Sequence, residues 1–231
     1  MDAVYFLQQF ASPALTEVAL FLTNLGSERA YIAFLLVVYL AVDARFGRYL
    51  GMTFLLGYFL NFHLKGIIDT PRPYVLDASV GLTPEAVATG PGAAFPSGHA
   101  QASVMFWGMV ASYVRKSWFW VLSVLLIGVI SVTRVYLGLH IPLDLVGGWL
   151  IGAGVVWLGL RIYQRIIQDN VPTWYANLAK RPKTLQIALA FFLPLLLHLL
   201  LGVADSEVIM GGLAAFAVAP LLVPYRVPDA L

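Results

Sequence analysis

Three separated stretches of the sequence carry side chains that could act together on a phosphate group. In chain order, these side chains are Lys65, Arg72, Ser97, Gly98, His99, Arg134, His140 and Asp144. Cationic side chains and free backbone amides at a helix start bind oxyanions, and paired imidazole and carboxylate groups supply nucleophilic and acid–base chemistry. The set predicts an oxyanion-binding site with an acid and a base attached if the fold brings the stretches together.

Lys65 and Arg72 supply two of the cations. Lys65 lies in the last turn of a predicted helix, and Pro71 and Pro73 impose an extended backbone around Arg72. Both side chains can therefore reach over the helix end, and an ammonium beside a guanidinium suits a phosphate dianion. Taken alone, either could instead be a basic residue that extends to the membrane interface.

Pro96-Ser97-Gly98-His99 reads as the start of a helix. Ser97 is the expected N-cap, and Gly98 lets a ligand approach the free amides, where the helix dipole also favours an anion. His99, in the first turn, is placed to protonate a departing alkoxide. The alternative is a plain capped helix with an interfacial histidine.

The stretch from Arg134 to Asp144 adds a third cation and a second imidazole. Pro142 suits the first position of a helix, which leaves His140 just outside that helix and Asp144 in its first turn. An imidazole whose Nδ1–H is held by a carboxylate presents Nε2 as a nucleophile that can attack phosphorus. Alternatively, Asp144 only favours the helix N-terminus and His140 caps a loop.

The composition predicts that most of this chain lies in lipid. Of its 231 residues, 60% are hydrophobic and 11% are charged, and the mean hydropathy is +0.83. The apolar runs are continuous and do not alternate, so they predict helices rather than a β-barrel. We expect an all-α polytopic membrane bundle of about seven spans, at residues 27–42, 49–68, 98–114, 118–134, 142–163, 184–201 and 207–223.

The first 26 residues and the segment 70–96 interrupt this pattern. Polar residues and Pro13 break up the N-terminal segment, which carries no signal-peptide pattern and is predicted to form interfacial amphipathic helices. The segment 70–96 is rich in proline and glycine, so it is predicted to be a loop outside the hydrocarbon.

Basic residues are distributed unequally between the two sides that alternating spans create. One side receives Arg45, Arg48, Arg115, Lys116, Arg161, Arg165, Lys180, Arg181, Lys183 and Arg226, and the other receives Arg29, Lys65, Arg72 and Arg134. Because basic loops are retained in the cytoplasm, the first side is predicted to be cytoplasmic and the candidate site extracytoplasmic.

The sequence contains no pattern that indicates a metal site, a reactive thiol or a nucleic-acid-binding surface. It contains no cysteine, and Asp69, Asp77 and Glu85 match no metal-ligand pattern, so neither a metal nor another cofactor is expected. The net charge of +2 comes without a basic stripe, so no nucleic acid is expected. Structural roles are favoured for His63 and His198, and the oligomeric state is left open.

The chain resembles the PAP2 superfamily, the type 2 phosphatidic acid phosphatases, over residues 27–165. Three motifs occur in the family's order and at its intervals, namely Lys65 to Arg72-Pro73, Pro96-Ser97-Gly98-His99, and Arg134 to His140 to Asp144. One residue departs from the pattern, since Thr133 stands where serine is usual. Two further predicted spans follow Arg165, beyond the resemblance.

The resemblance implies roles for the candidate residues. His140 would form a phosphohistidine, Asp144 would orient it, and His99 would act as general acid and later activate water. The phosphoryl oxygens would be bound by Lys65, Arg72, Ser97, Gly98 and Arg134. No metal would be needed, because phosphoryl transfer requires mainly positioning and charge neutralisation.

The resulting prediction is a lipid phosphatase of the cell membrane with three regions: interfacial helices at 1–26, a PAP2-like core at 27–168, and a cytoplasmic connector with two membrane helices at 169–231. Candidate substrates are phosphatidic acid, phosphatidylglycerol phosphate and polyprenyl pyrophosphate. Alternatives are a phosphotransferase that passes the phosphoryl group to a lipid or sugar, and a binding or transport protein without catalysis. Vanadium haloperoxidases share the constellation by family resemblance, but they are soluble and need no membrane spans.

Overall fold

The computed structural model describes residues 1–167, 177, 180–201, 211–214 and 218, and these residues form helices and no strand. The main helices are α1 (Asp2–Gln8), α2 (Pro13–Asn24), α3 (Glu28–Val37), α4 (Ala44–Ile68), α5 (Pro73–Leu76), α6 (Pro84–Ala88), α7 (Gly98–Val114), α8 (Ser117–Tyr136), α9 (Pro142–Ile167) and α10 (Lys183–Leu201). A π-helical turn, Val38–Val42, extends α3, and a 3₁₀ turn, Ala78–Val80, follows α5. The all-α prediction is confirmed.

Side-chain caps set where the long helices begin. Ser97 caps α7 through its Oγ, which accepts from the amide of Ala100, and α7 covers the predicted range. The Asp43 side chain accepts from two amides of the first turn of α4, so this helix begins before the predicted start at Tyr49. The segment 70–96 contains short helical turns within the predicted loop.

Among the described residues, two helices are long and apolar enough to cross a membrane, Ser117–Tyr136 and Pro142–Arg165. A third is counted if Pro13–Asn24 and Glu28–Val42, bent by 48°, form one span. Polar residues near the end of α4 lower its hydropathy, and α7 has 17 residues. The predicted count of seven spans therefore stays a prediction, and the last span, 207–223, lies mostly outside the described residues.

The chain divides into two compact units, Met1–Leu158 and Gly159–Leu231. In the first unit, α8 packs against both α7 and α2, while α4 packs against α7. The second unit contains the end of α9 and α10, and most of the predicted connector lies outside the described residues, as does the side chain of His198. The predicted limits of the three regions stay predictions.

The start of α7 is in close backbone contact with the first three turns of α9. A Cβ on Gly148 would lie 2.6 Å from the Ser97 carbonyl oxygen, and one on Gly152 would lie 2.9 Å from that of Gln101. Glycine at both positions lets the helices approach, as in other membrane helix pairs. The Ser97 amide also donates to the Asp144 carbonyl oxygen at 3.0 Å. Two of the predicted motifs are therefore adjacent.

The N-terminal helices are bonded to the loop 70–96 and to the end of α8. The Gln8 side-chain amide donates to the carbonyl oxygens of Val80 and Tyr136, each at 2.8 Å. The Thr16 and Tyr136 hydroxyls are hydrogen-bonded at 3.0 Å in a buried environment. Residues 1–24 are thus packed at the end of the unit where the candidate side chains lie.

Candidate active site

A tight turn between α8 and α9 places His140. Gly138 has a φ of +73°, and a Cβ there would lie 2.0 Å from the Val80 carbonyl oxygen, so only glycine fits. The chain then reverses and α9 begins at Pro142, the predicted first helical position. His140 is 1% exposed within this turn.

Both ring nitrogens of His140 have partners. Nδ1 lies 3.2 Å from Oδ2 of Asp144, which also accepts from the Ile141 amide at 3.0 Å. Nε2 lies 3.0 Å from Nη1 of Arg72. Because a guanidinium only donates, Nε2 must be the acceptor, and the proton of a neutral ring then sits on Nδ1, facing the carboxylate. The lone pair of Nε2 therefore faces a cation.

The surroundings of His140 favour its uncharged form. Burial lowers the pKa of His140 well below its usual value, and the nearby charges of Arg72, Arg134, Lys65 and His99 lower it further. Burial likewise lowers the pKa of Arg72. A neutral imidazole among several cations is the form that can act as a nucleophile.

Residues 89–94, here called the carbonyl strap, turn backbone oxygens towards the cations. Lys65 Nζ and the Nε and Nη2 of Arg72 donate to the strap, and the accepting carbonyls belong to Pro91 (2.8 Å), Gly92 (2.8 Å), Ala93 and Ala94 (3.1 Å). Arg72 is only 4% exposed. The strap therefore orients both cations while leaving their charge uncompensated.

Arg134 is held by two threonines from different elements. Its Nη1 donates to the hydroxyls of Thr23 and Thr89, each at 2.9 Å, and its Nη2 donates to the Thr89 carbonyl oxygen at 3.0 Å. In the described part of the chain, its buried Nε has no partner. The hydroxyl of Thr133, the departure from the family pattern, donates instead to the Ile130 carbonyl oxygen at 2.6 Å.

The start of α7 forms another wall of the site. Ser97 is fully buried, and its Oγ accepts from the Ala100 amide at 3.5 Å. The His99 ring lies against the turn after α2, because a Cβ on Gly26 would be 3.2 Å from its Cδ2. All eight predicted residues are therefore on elements that meet at this end of the unit.

Some residues of the site were not predicted. Thr23 and Thr89 bind Arg134 from positions 111 and 45 residues away, and no sequence spacing indicates such contacts. A buried amide pair supports α7, since Asn61 Nδ2 donates to Gln101 Oε1 at 2.8 Å. The carbonyl strap was predicted only as loop, although its Gly90-Pro91-Gly92 sequence indicates a tight turn.

A cavity of about 400 Å³ lies beside Asp144. Its lining is mostly apolar and includes Ile68, Phe95 and Leu143. No group of three or more His, Asp or Glu side chains within the described ranges is placed to hold a metal ion.

The family model of the PAP2 superfamily matches residues 46–168, just over half of the chain. This chain belongs to the PAP2 superfamily. The matched PAP2 range contains all eight predicted site residues, whereas Thr23 lies outside it.

Relatives of this PAP2 chain include two proteins named for lipid phosphates. It is 36% identical over 69 residues to an undecaprenyl-diphosphatase of Sulfolobus acidocaldarius, covering 29% of this chain and 32% of that protein. It is 44% identical over 86 residues to a lipid A 4'-phosphatase of Bacteroides thetaiotaomicron, covering 36% of this chain and 38% of that protein. The matches thus span about a third of each relative.

A solved structure shares the fold. The transmembrane PAP2-type phosphatidylglycerolphosphate phosphatase from Bacillus subtilis superposes with a TM-score of 0.63 at 21% identity, covering 71% of this chain and 84% of that one. The similarity supports the helical membrane architecture of the PAP2 chain.

Proposed function

We propose that this protein is a metal-independent phosphatase that hydrolyses lipid phosphomonoesters or pyrophosphates through a phosphohistidine on His140. The observation that carries the proposal is the pairing of His140, with Asp144 on Nδ1 and the Arg72 guanidinium on Nε2. Phosphoryl transfer requires an oriented nucleophile and positive charge near the phosphate, and this pairing supplies both.

In the first step, the phosphoryl oxygens bind to N–H donors of Lys65, Arg72 and Arg134. Arg72 transfers its Nη1–H bond from His140 to a phosphoryl oxygen, which frees the Nε2 lone pair. Nε2 attacks phosphorus, the bond from phosphorus to the leaving oxygen breaks, and His99 donates a proton to that oxygen. Asp144 accepts the Nδ1–H bond and stabilises the positive charge that develops on the ring.

In the second step, water replaces the leaving group. His99, now neutral, removes a proton from the water, and the resulting hydroxide attacks the phosphorus of phosphohistidine. The bond from phosphorus to Nε2 breaks, inorganic phosphate leaves, and His140 returns to its neutral form. His99 regains its proton in this step, so the cycle balances without a metal.

Lipid substrates fit the surroundings of the site. The apolar cavity beside Asp144 would accept part of a hydrocarbon chain while the phosphate meets the cations. The relatives are named for undecaprenyl diphosphate and lipid A, which are lipid phosphates. Phosphatidic acid, phosphatidylglycerol phosphate and polyprenyl pyrophosphate are therefore the first substrates to assay, at an extracytoplasmic site of a multi-pass protein.

The proposal is tested by phosphate release from these lipids in detergent with EDTA present and no acceptor lipid. We expect turnover, at least about 10³-fold loss in His140→Ala, and little change in the control His63→Gln. His63 Nδ1 lies 2.9 Å from the Phe59 carbonyl oxygen, one helical turn earlier in α4. Loss of turnover with EDTA that Mg²⁺ restores would contradict the metal-free mechanism, and a requirement for an acceptor would indicate a phosphotransferase.

A further inference from the structure

We propose that Thr23, in the last turn of α2, is a positioning residue of the active site. Its hydroxyl accepts a hydrogen bond from Arg134 Nη1 at 2.9 Å and fixes the guanidinium for oxyanion binding. The proposal rests on the proposed function, in which Arg134 binds a phosphoryl oxygen.

The hydrogen bonds of Arg134 show why Thr23 matters. Nη1 carries two hydrogens, and the hydroxyls of Thr23 and Thr89 accept both of them. Thr23 is 0% exposed and Arg134 is 1% exposed, so water does not substitute for either contact. With Nη1 held from two elements, the plane of the guanidinium is fixed, and so are the directions of its other N–H groups. Among the described residues, Nε has no partner, and a phosphoryl oxygen would satisfy it.

A second threonine on α2 allows a matched comparison. Thr16 lies two helical turns before Thr23, faces α8 as well, and is 7% exposed. Its hydroxyl bonds to that of Tyr136 at 3.0 Å, so it joins the same two helices without contacting a cation. Loss of a hydroxyl at either position weakens the same interface, but only Thr23 acts on Arg134.

Through Thr23, α2 contributes to the positioning of the active-site side chains. The PAP2 match begins at residue 46, so Thr23 is outside it. The end of α2 also leads into Gly26, where a Cβ would lie 3.2 Å from the His99 ring. The end of α2 and the turn after it therefore border the site at two points, one at the cation and one at the proposed acid.

The experiment compares Thr23→Val, Thr23→Ser and Thr16→Val in the full chain. Affinity for orthovanadate is measured by calorimetry, and kcat/KM is measured with the best lipid phosphate. We expect Thr23→Val to lose roughly tenfold to hundredfold in both, as for a lost hydrogen bond to a charged group. Thr23→Ser and Thr16→Val should stay within about threefold of the unmodified protein, because each leaves the Arg134 contact in place.

A double variant tests whether Thr23 acts through Arg134. In an Arg134→Gln background, Thr23→Val should cause little further loss of vanadate affinity. A full additional loss, equal losses in Thr23→Val and Thr16→Val, or a Thr23→Ser as impaired as Thr23→Val would each overturn the proposal. If Thr23→Val fails to fold, Thr23→Ala, which removes the same hydroxyl, is measured in its place.

The two readouts separate this inference from the proposed function. Vanadate binding that weakens in Thr23→Val, without phosphate release from any lipid, would reject the phosphatase and retain the role of Thr23. Equal lipid turnover in all three variants would retain the phosphatase and reject the role of Thr23. Failure of the unmodified protein to bind vanadate would overturn both.

Discussion

At the residue scale, the main feature is that Asp144 and Arg72 determine which nitrogen of His140 carries a proton. The carboxylate faces Nδ1 and the guanidinium faces Nε2, so the neutral ring has one stable tautomer. In the proposed mechanism, the same two contacts mean that no separate base is needed to deprotonate His140. The unprotonated Nε2 becomes reactive as soon as Arg72 moves its hydrogen bond to the phosphate.

This tautomer predicts the pH behaviour of His140. Its pKa in the fold is lowered by burial and by neighbouring cations, while in the unfolded chain it is about 6.5. As the pH falls below about 6.5, only the unfolded state takes up the proton, so this histidine destabilises the fold in acid. We expect ¹⁵N NMR to show Nδ1 protonated and Nε2 unprotonated at about pH 6.5, where a free imidazole is half protonated, with signals assigned by His140→Gln. Titration of the ring at or above pH 6.5 would contradict this description.

The sequence could predict the contact with Asp144 but not the contact with Arg72. His140 and Asp144 are four residues apart across a helix start that Pro142 marks, so local geometry determines their approach. Arg72 is 68 residues away, and its side chain is directed by strap carbonyls whose orientation no local pattern encodes. Predictions were reliable where a cap or a proline fixed the backbone.

At the element scale, the carbonyl strap sets the positions of the cations. Gly90 lies beside both guanidiniums, since a Cβ there would be 3.0 Å from Arg72 Nη1 and 3.2 Å from Arg134 Nη2. Both guanidiniums are anchored by several hydrogen bonds, so they could move aside only by lengthening some of them. The absence of a side chain at this position therefore preserves the geometry of the site.

Gly90→Ala should impair phosphate release more than it impairs folding. A shift of a few tenths of an ångström at two cations is expected to reduce kcat/KM by about tenfold. Gly66→Ala in α4 is the control, because a Cβ there has no atom within 4 Å. The measurement is lipid phosphate turnover together with thermal unfolding. Equal activity in the two variants would show that the strap tolerates a side chain at this position.

The helices illustrate what sequence patterns predict. The range of α7 and the start of α9 were predicted correctly, because Ser97 and Pro142 are strong local signals. The predicted start of α4 at Tyr49 is too late. The charged residues Arg45 and Arg48 favour a loop in the sequence, whereas in the structure Asp43 caps a helix that contains them. The contact of α2 with Arg134 depends on packing between distant segments, so only the structure could reveal it.

At the scale of the whole molecule, the proposed orientation places the site outside the cell. The absence of cysteine makes this testable with single cysteines. Ala78 is exposed in the loop 70–96, and Lys116 is exposed between α7 and α8, so a cysteine is introduced at one of the two positions at a time. We expect a membrane-impermeant maleimide to label Ala78→Cys in intact cells and Lys116→Cys only after permeabilisation. The reverse pattern would place the site in the cytoplasm.

The central claim is that the fold brings distant motifs together so that His140 attacks a phosphoryl group. It is tested most directly by trapping the intermediate, using ³²P-labelled lipid phosphate, an alkaline quench and mass spectrometry of the digested protein. The account predicts an acid-labile, base-stable phosphate on His140 that is absent from His140→Ala. Label on another residue, or label that survives acid, would contradict it.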